Sequence, residues 1–304
     1  MKVQNALTLA ASAVLFTSAN ADITIDWVTI GNANNAADTA DGDVNTTGTQ
    51  MYGSVDHIYK IGKYEVTNAQ YGAFLNAKGQ SNTNGIYNSS MSSNGITQSG
   101  SSGTFSYSVT SGFENKPVVY VSWFDAARFS NWLGNGQGAG DTETGAYTLS
   151  NATSGIITVN VGATVYIPSE DEWYKAAYYN PATTTYTVFP NGQNTITTTD
   201  ANYNNSVGST TNVGTYSGDP SSYGTFDQGG NVGEWADGIS GTSRVRRGGR
   251  FDNVESSLAA YTRGAGVPTS ESNSLGFRVA SVPEPTSIVL TILASCTILI
   301  RRKR

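Results

Sequence analysis

A short glycine-rich stretch with two acidic residues, Gly224–Trp235, constrains this chain more than any other segment. Its sequence is GTFDQGGNVGEW, with carboxylates at Asp227 and Glu234. The glycines at positions 229 and 230 allow the backbone to bend sharply and to turn carbonyl oxygens inward. Two carboxylates together with inward carbonyls form an all-oxygen cage, which suits a hard cation such as Ca²⁺. A tight glycine turn with solvated acids is the alternative on spacing alone.

The beginning of the chain has the pattern of a secretory signal peptide. Residues 1–21 combine a basic Lys2, an apolar run over Ala6–Phe16 and a small-residue cleavage site that ends at Ala21. This order is typical of a segment that directs export and is then removed. We therefore expect an exported protein whose mature chain begins at residue 22.

Residues 282–304 form a second predicted processing signal. A Pro-Glu-Pro sequence precedes an apolar run over Thr286–Ile300, and Arg301–Arg304 is entirely basic. This order resembles the PEP-CTERM sorting signal, which implies that an exosortase removes the tail during sorting to the cell surface or extracellular matrix. A simple C-terminal membrane anchor is the alternative. Both interpretations place the hydrophobic helix in the membrane, with its basic end on the cytoplasmic side, and the membrane anchoring is transient if an exosortase removes the tail.

The charge of the mature chain excludes several classes of function. Of 17 basic and 23 acidic residues, 12 and 22 lie between residues 22 and 281, a net charge of −10. Such a surface repels nucleic acid. The single cysteine, Cys296, belongs to the predicted tail, and the single histidine is His57. A thiolate centre and a metal site built on several histidines are therefore excluded from the mature domain, and His57 is more typical of a structural or exposed residue than of a catalytic one.

Three helix starts are recognisable from capping boxes, in which a Ser or Thr is followed three positions later by Gln, Asp or Glu. They are Thr67–Gln70, Ser122–Asp125 and Ser169–Glu172. Each precedes a segment with an apolar face. The tryptophans at positions 123, 132, 173 and 235 are the expected anchors of one compact core.

The pattern over the rest of the mature chain predicts short strands and loops. The whole sequence has 34 glycines and only 13% charged residues, which favours a loop-rich domain. Strands are predicted over Ile23–Ile30, Tyr59–Val66 and Val118–Val121, with two or three more between Tyr147 and Val165. The low-complexity segment Gln80–Gly112 predicts a surface loop or a weak hairpin. We expect a single domain over residues 22–281.

Six motifs occur in one order along this domain, and together they resemble the formylglycine-generating enzyme, or sulfatase-modifying factor, family. The motifs are Tyr59–Asn68, Pro117–Trp132, Ile167–Trp173, Gly230–Trp235, Arg247–Gly249 and Leu275–Arg278. The resemblance covers nearly the whole mature chain. It implies an α+β, C-type-lectin-like fold with little regular secondary structure, a structural Ca²⁺, and, in active members, a cysteine pair with copper that oxidises a sulfatase cysteine to formylglycine.

The resemblance assigns calcium ligands to the same loop that the residue chemistry indicated. It implies side-chain ligands from Asp227 and Glu234 and carbonyl ligands from Gly230 and Val232. A second calcium site of the family begins at a stretch that matches Asn202 and Tyr203, but the other half of that site is not recognisable here.

The catalytic part of the family pattern is missing. The two catalytic cysteines of the family fall near Asn253 and Leu258, and neither residue can perform thiolate chemistry. We therefore expect no copper and no catalytic residues of the family type. The histidines of the related iron-dependent sulfoxide synthases are also absent. Four nearby arginines predict either an anion-contacting rim or ordinary surface pairs with acids; they are Arg244, Arg246, Arg247 and Arg250.

Two classes of function remain. The first is a non-catalytic, calcium-stabilised binding or matrix protein that holds a peptide or glycan. The second is an enzyme of unknown chemistry that uses the same cleft. The sequence favours the first, because His and Cys carry much of the proton transfer and nucleophilic attack in enzymes. Convergence of several titratable side chains beside Asn253 would favour the second.

Overall fold

The computed structural model describes residues 22–39 and 51–283, so the predicted signal peptide and nearly all of the predicted sorting tail lie outside the described residues. Within the described part, three helices and twelve short strands are separated by long turns. The helices are α1 (Asn68–Lys78), α2 (Trp123–Gly134) and α3 (Glu170–Tyr178), and single 3-10 turns cover Ser89–Asn94 and Glu255–Leu258. The strands are β1 (Trp27–Ile30), β2 (Tyr59–Gly62), β3 (Ile96–Ser99), β4 (Ser106–Val109), β5 (Val165–Tyr166), β6 (Tyr179–Asn180), β7 (Thr185–Tyr186), β8 (Gly233–Ser240), β9 (Ser243–Arg247), β10 (Gly264–Gly266), β11 (Leu275–Phe277) and β12 (Ala280–Ser281).

All three helices begin where the capping boxes predict. The side-chain oxygens of Thr67, Ser122 and Ser169 each accept a hydrogen bond from the backbone N–H three residues later, at 3.2–3.3 Å. The acidic or amide side chain at that later position in turn accepts from the backbone N–H of the capping residue. These reciprocal bonds satisfy amide groups that a helix start would otherwise leave without partners.

Two four-stranded sheets form the framework. The first has the order β1-β2-β12-β5 and is antiparallel throughout, and the second has the order β10-β9-β8-β11. In the second sheet β8 pairs antiparallel with β9 and parallel with β11, with Trp235 opposite Phe277. Because β11 and β12 are almost consecutive, one short segment of chain joins both sheets.

The largest apolar core contains α1, α2 and the inner face of these sheets. Trp123, Trp132 and Trp235 lie in it, each at most 2% exposed, and Trp173 is fully buried in a neighbouring cluster under α3. The predicted role of the four tryptophans as buried anchors is therefore confirmed. Burial of such large rings contributes strongly to the stability of a fold with so few regular elements.

Several predicted strands are shorter or absent, for local reasons. The first two begin and end within four residues, at Trp27–Ile30 and Tyr59–Gly62. The three valines of Val118–Val121 are buried, but the segment forms no strand, because Tyr120 adopts a left-handed conformation (φ 59°) that breaks the extended run. Between Tyr147 and Val165 only β5 forms, since turns interrupt the segment.

The segment Gln80–Gly112 forms a hairpin, the second of its two predicted forms. Strands β3 and β4 pair antiparallel, with Ile96 opposite Val109. The residues Met91, Ile96 and Tyr107 are buried in the main core. This low-complexity segment therefore contains apolar residues that are buried and that attach the hairpin to α1.

Candidate functional site

The predicted metal loop has a strained backbone that only small or flexible residues permit. Asp227, Gly230 and Asn231 all have positive φ values, of 59°, 82° and 53°. A Cβ atom at Gly230 would lie 2.2 Å from the carbonyl oxygen of Asn202, so glycine is required there for the two backbones to approach. The loop ends at Trp235, whose indole N–H donates to the carbonyl of Val121 at 3.0 Å and fixes the loop to the core.

Glu234 lies at the centre of a buried ion pair. The Arg278 guanidinium donates to both of its oxygens, Nε to Oε2 at 2.6 Å and Nη2 to Oε1 at 2.7 Å. The indole N–H of Trp173 donates to Oε2 at 2.7 Å. Neither Glu234 nor Arg278 is exposed to solvent. A carboxylate offers about four lone-pair positions, so these three bonds leave one for a further partner.

Two more carboxylates surround this pair. The Oδ2 atom of Asp227 accepts from the backbone N–H of Gly214 at 2.6 Å, and burial raises the pKa of Asp227 to about 6. Glu65 is 2% exposed, and burial followed by the charge of Asp227 raises the pKa of its carboxyl well above its ordinary value. Arg278 opposes both shifts. Three acidic groups therefore share one arginine.

Asn202 and Tyr203 are predicted to belong to a separate second site. In the structure, their side chains lie in different surroundings. Asn202 is 1% exposed and adjoins the first loop, because its Nδ2 donates to Asn231 Oδ1 at 3.3 Å and its carbonyl accepts from Asn231 N–H at 2.8 Å. Tyr203 is buried in an apolar cluster, where its hydroxyl donates to the carbonyl of Ile196. The structure thus brings Asn202 to the loop and directs the Tyr203 side chain away from it.

The donor set of this region suits a hard cation. Two buried oxygens have no hydrogen-bond partner, Glu65 Oε2 and Asn202 Oδ1, and both Glu65 and Asn202 contact Asn231 of the loop. Within residues 22–39 and 51–283, no three His, Cys, Asp or Glu side chains are placed to hold a metal by themselves. A bound ion would therefore depend on carbonyl and amide oxygens as well as carboxylates, which is the chemistry of calcium.

The positions that match the family's cysteines separate in the structure. Asn253 lines a cleft of about 260 Å³ on the second sheet. Leu258 is fully buried and packs in a cluster with Phe189 and Ile196. One of the two positions therefore faces the cleft, and the other serves as an apolar core residue.

The four arginines near this cleft divide into two kinds. Arg244 and Arg247 are at most 2% exposed and form ion pairs, with Asp237 and Glu170 respectively. They are paired as the simpler interpretation predicted, although within the protein rather than on its surface. Arg246 and Arg250 line the cleft together with part of Arg247.

His57 is half exposed and lies between two acids. Its Nε2 atom is 3.0 Å from Glu172 Oε1, and its Nδ1 atom is 2.8 Å from Asp56 Oδ1. The hydrogen bond with Glu172 is the largest cause that raises the pKa of His57 to about 9. Because Glu172 also closes the capping box of α3, this contact supports a structural role for His57.

The sequence did not reveal two of the residues that organise the site, Glu65 and Arg278. Both lie inside motifs that were recognised. Arg278 lies between the buried Phe277 and Val279, and Glu65 precedes the buried Val66. A charge within an apolar strand predicts a buried partner, but the pattern does not say which partner.

We expect replacement of Arg278 by Met to lower the free energy of unfolding by about 3–5 kcal/mol, because Glu234 would keep its charge in a buried site without its main partner. Arg250→Met is the matched control. Arg250 pairs with Asp252 where both side chains are 42% exposed, so its loss should change stability by about 1 kcal/mol or less. Equal effects in urea denaturation would contradict a dominant role for the buried pair.

The stability that His57 contributes should depend on pH. A folded-state pKa of about 9, above the ordinary 6.5, means that this contribution is complete below pH 6.5 and disappears as pH rises through about 9. His57→Gln should therefore melt at a lower temperature than the wild type at pH 6, with the difference closing by pH 10. Burial also lowers the pKa of Lys175 to about 8. Lys175 titrates in both proteins, so its effect on the melting temperature cancels in the difference between them. A difference that stays constant with pH would disprove this expectation.

Comparison with known proteins agrees with this architecture. Three solved structures share the fold at low sequence identity. Treponema denticola variable protein 1 is 23% identical, with 84% of this chain and 95% of that chain covered and a TM-score of 0.59. CarF is 22% identical, with 86% and 99% covered and a TM-score of 0.56. PvdO from Pseudomonas aeruginosa is 19% identical, with 84% and 94% covered and a TM-score of 0.55.

A search of curated proteins finds no significant match to the chain. The family model described as the sulfatase-modifying factor enzyme 1-like domain matches residues 25–282. This range contains all three helices, all twelve strands, the loop and the cleft. The expected α+β, loop-rich fold is therefore confirmed, and the chain belongs to the sulfatase-modifying factor family.

Proposed function

We propose that this domain is a non-catalytic binding module that holds a peptide or glycan in the cleft beside Asn253. The composition of the cleft wall carries this proposal. Its lining contains no Asp, Glu, His, Cys, Lys or Tyr, and arginine is its only ionisable residue type. Arginine remains protonated at all physiological pH values, so the lining supplies no general acid or base, and no base that could activate its serines.

Family chemistry with copper and thiolates has no support in this chain. The only cysteine lies at position 296, outside residues 25–282 that match the family. Asn253 and Leu258 cannot replace a pair of thiolates. The binding proposal therefore keeps the scaffold of the family without its oxidation reaction.

An enzyme of different chemistry is the second candidate, and one carboxyl pair favours it. Asp125 and Glu271 line a cavity of about 330 Å³, separate from the cleft beside Asn253. Their side chains are hydrogen-bonded to each other, and burial raises the pKa of Asp125 to about 7. A carboxyl group that titrates near neutral pH is suited to proton transfer. Asp125 also caps α2, however, by accepting from Ser122 N–H at 2.8 Å, which explains its burial structurally.

The location of the protein is part of the proposal and depends on its two predicted signals. A signal peptide over residues 1–21 would export the chain, and a PEP-CTERM tail over residues 282–304 would deliver it to exosortase. The described residues contain no helix that is long and apolar enough to cross a membrane. In this proposal the tail attaches the chain to the membrane transiently, and the mature domain acts at the cell surface or in the extracellular matrix.

Binding and catalysis can be separated with the domain over residues 22–283. We expect it to bind members of a glycan or peptide array without converting them, as judged by mass spectrometry of the recovered ligand. Asn253→Trp should reduce binding by filling the cleft, while Asp125→Asn should leave binding unchanged. Turnover of a bound ligand that Asp125→Asn abolishes would instead establish the second candidate.

The domain is further proposed to contain a structural Ca²⁺ at the Gly224–Trp235 loop. Asp227 and Glu234 would supply side-chain oxygens, and Gly230 and Val232 would supply carbonyls. The charge balance supports this proposal, because Glu65, Asp227 and Glu234 would exceed the single positive charge of Arg278 by two if all three were ionised, and without an ion burial and the neighbouring acids raise the pKa values of Glu65 and Asp227. A divalent cation would cancel that excess and would stabilise the strained loop.

Calcium should therefore raise the melting temperature, and chelator should lower it. At a Ca²⁺ concentration about 100 times Kd, the added stability should be about 2.7 kcal/mol, and Mg²⁺ should add less, since it prefers a smaller octahedral shell. Asp227→Asn should melt identically with and without Ca²⁺. The exposed Asp26→Asn is the matched control and should respond as the wild type does. A wild type that ignores both Ca²⁺ and chelator would exclude the site.

A further inference from the structure

The cleft beside Asn253 lies across the whole second sheet. Every strand of this sheet contributes to its wall: Gly264 from β10, Arg246 and Arg247 from β9, Gly233 from β8 and Leu275 from β11. A surface built on four hydrogen-bonded strands is rigid, so side chains that project from it are held in fixed positions.

Arg246 is fixed in this wall without an acidic partner among the described residues. Its Nη2 donates to the carbonyl of Ala265 at 2.6 Å, and its guanidinium carbon lies 5.9 Å from the centre of the Trp235 ring. Gly266 allows the guanidinium to lie against the backbone, since a Cβ there would be 2.9 Å from Arg246 Cζ. The neighbouring Arg244 and Arg247, in contrast, both pair with carboxylates.

Arg250 adds a second positive charge to the same wall. Its Nε atom is 2.8 Å from Asp252 Oδ1, but both side chains are 42% exposed, and Asp252 does not line the cleft. Burial, followed by the nearby charge of Arg250, lowers the pKa of Arg246. The two arginines therefore repel one another and leave positive charge uncompensated, although the mature chain as a whole is acidic. An oxyanion between them would relieve this repulsion.

The remainder of the wall is polar and uncharged. It presents hydroxyl and amide groups from Asn253, Ser257, Thr262 and Ser272, whereas Ser274 is 2% exposed. Leu275 is the one apolar side chain in the lining, and it is only 3% exposed. Peptide recognition ordinarily depends on apolar or aromatic anchors in pockets, and this wall offers none. Hydroxyl and amide groups are instead suited to the hydroxyl groups of a sugar, which can both donate and accept.

We propose that the cleft binds an acidic saccharide, with a carboxylate or sulfate group held by Arg246 and Arg250 and sugar hydroxyls held by the neutral polar wall. This inference rests on the proposed binding function and names its ligand class. A bidentate guanidinium contact would fix the acidic group, and the polar side chains would orient the ring beside it.

The test is calorimetric titration of the domain over residues 22–283 with three oligosaccharides of equal length: a polyuronate, a sulfated chain and a neutral chain. We expect binding of a charged chain that weakens as salt is raised and no detectable binding of the neutral chain. Preference between the two charged chains identifies the acidic group. An acidic peptide of matched charge is the fourth ligand.

Arg246→Gln should reduce the affinity for the charged saccharide by about tenfold or more, as expected for loss of a charge-assisted hydrogen bond. Lys78→Gln, which makes the same charge change on α1 outside the cleft lining, should have little effect. Thermal melting establishes that each variant is folded. If Arg246→Gln does not fold, Arg250→Gln makes the same test at a half-exposed position.

The outcomes separate this inference from the function on which it rests. Equal binding of neutral and charged chains, or binding that both arginine variants leave unchanged, would overturn the acidic-saccharide assignment while the binding function stands. Preference for the acidic peptide would overturn it in the same way. Failure of all four ligands, together with failure of the peptide and glycan array, would overturn both.

Discussion

The buried ion pair of Arg278 with Glu234 is the interaction on which the rest of the molecule depends. Besides its two bonds to Glu234, the Arg278 guanidinium donates to the carbonyls of Gly62 and Phe226, both at 2.9 Å. One side chain thus joins β2 of the first sheet to β8 of the second and to the Gly224–Trp235 loop at Phe226. The cost of removing an arginine and a carboxylate from water is large. It is offset here because the pair forms short hydrogen bonds, of 2.6–2.9 Å, with each other, with Trp173 and with the carbonyls of Gly62 and Phe226.

Buried ion pairs and hydrogen bonds also connect the other motifs. Arg247 pairs with Glu170 at the start of α3, and Arg263 adds a second cation to that carboxylate. Glu65 Oε1 accepts from Asn231 of the loop at 3.0 Å. Charged residues that are far apart in sequence therefore meet as buried partners. This arrangement gives a physical reason for several motifs to occur together, since removal of one member leaves the charge of another unpaired.

Local features of the fold could be predicted from the sequence, and long-range ones could not. The capping boxes at Thr67, Ser122 and Ser169 identified all three helix starts, because both hydrogen-bonding groups of a box lie within four residues. The predicted strand at Val118–Val121 failed, because Tyr120 has a left-handed conformation and the N–H groups of Val118 and Tyr120 donate to two different partners, Val66 and Ser272, which lie far away in the chain.

The candidate site shows the same limit. The acids and the glycines of the loop were visible in the sequence, as was the absence of cysteine at Asn253. Their partners were not, because Arg278, Glu65 and Trp173 reach the loop only through tertiary packing. The arginines near the cleft illustrate this most clearly. Four similar residues in seven positions of sequence divide into buried ion pairs and cleft lining. The division depends on which of them tertiary packing brings to Asp237 and Glu170, and these acids lie elsewhere in the chain.

The position of β11 and β12 in the chain has a consequence for the order of folding. These strands occupy residues 275–281, yet β12 lies between β2 and β5, and β11 completes the second sheet beside β8. The bond from Arg278 to Gly62 spans 216 residues. Neither sheet can therefore be completed during synthesis until almost the whole domain has left the ribosome. High contact order of this kind slows folding, so a newly made chain stays open for longer than a helical bundle of the same length would.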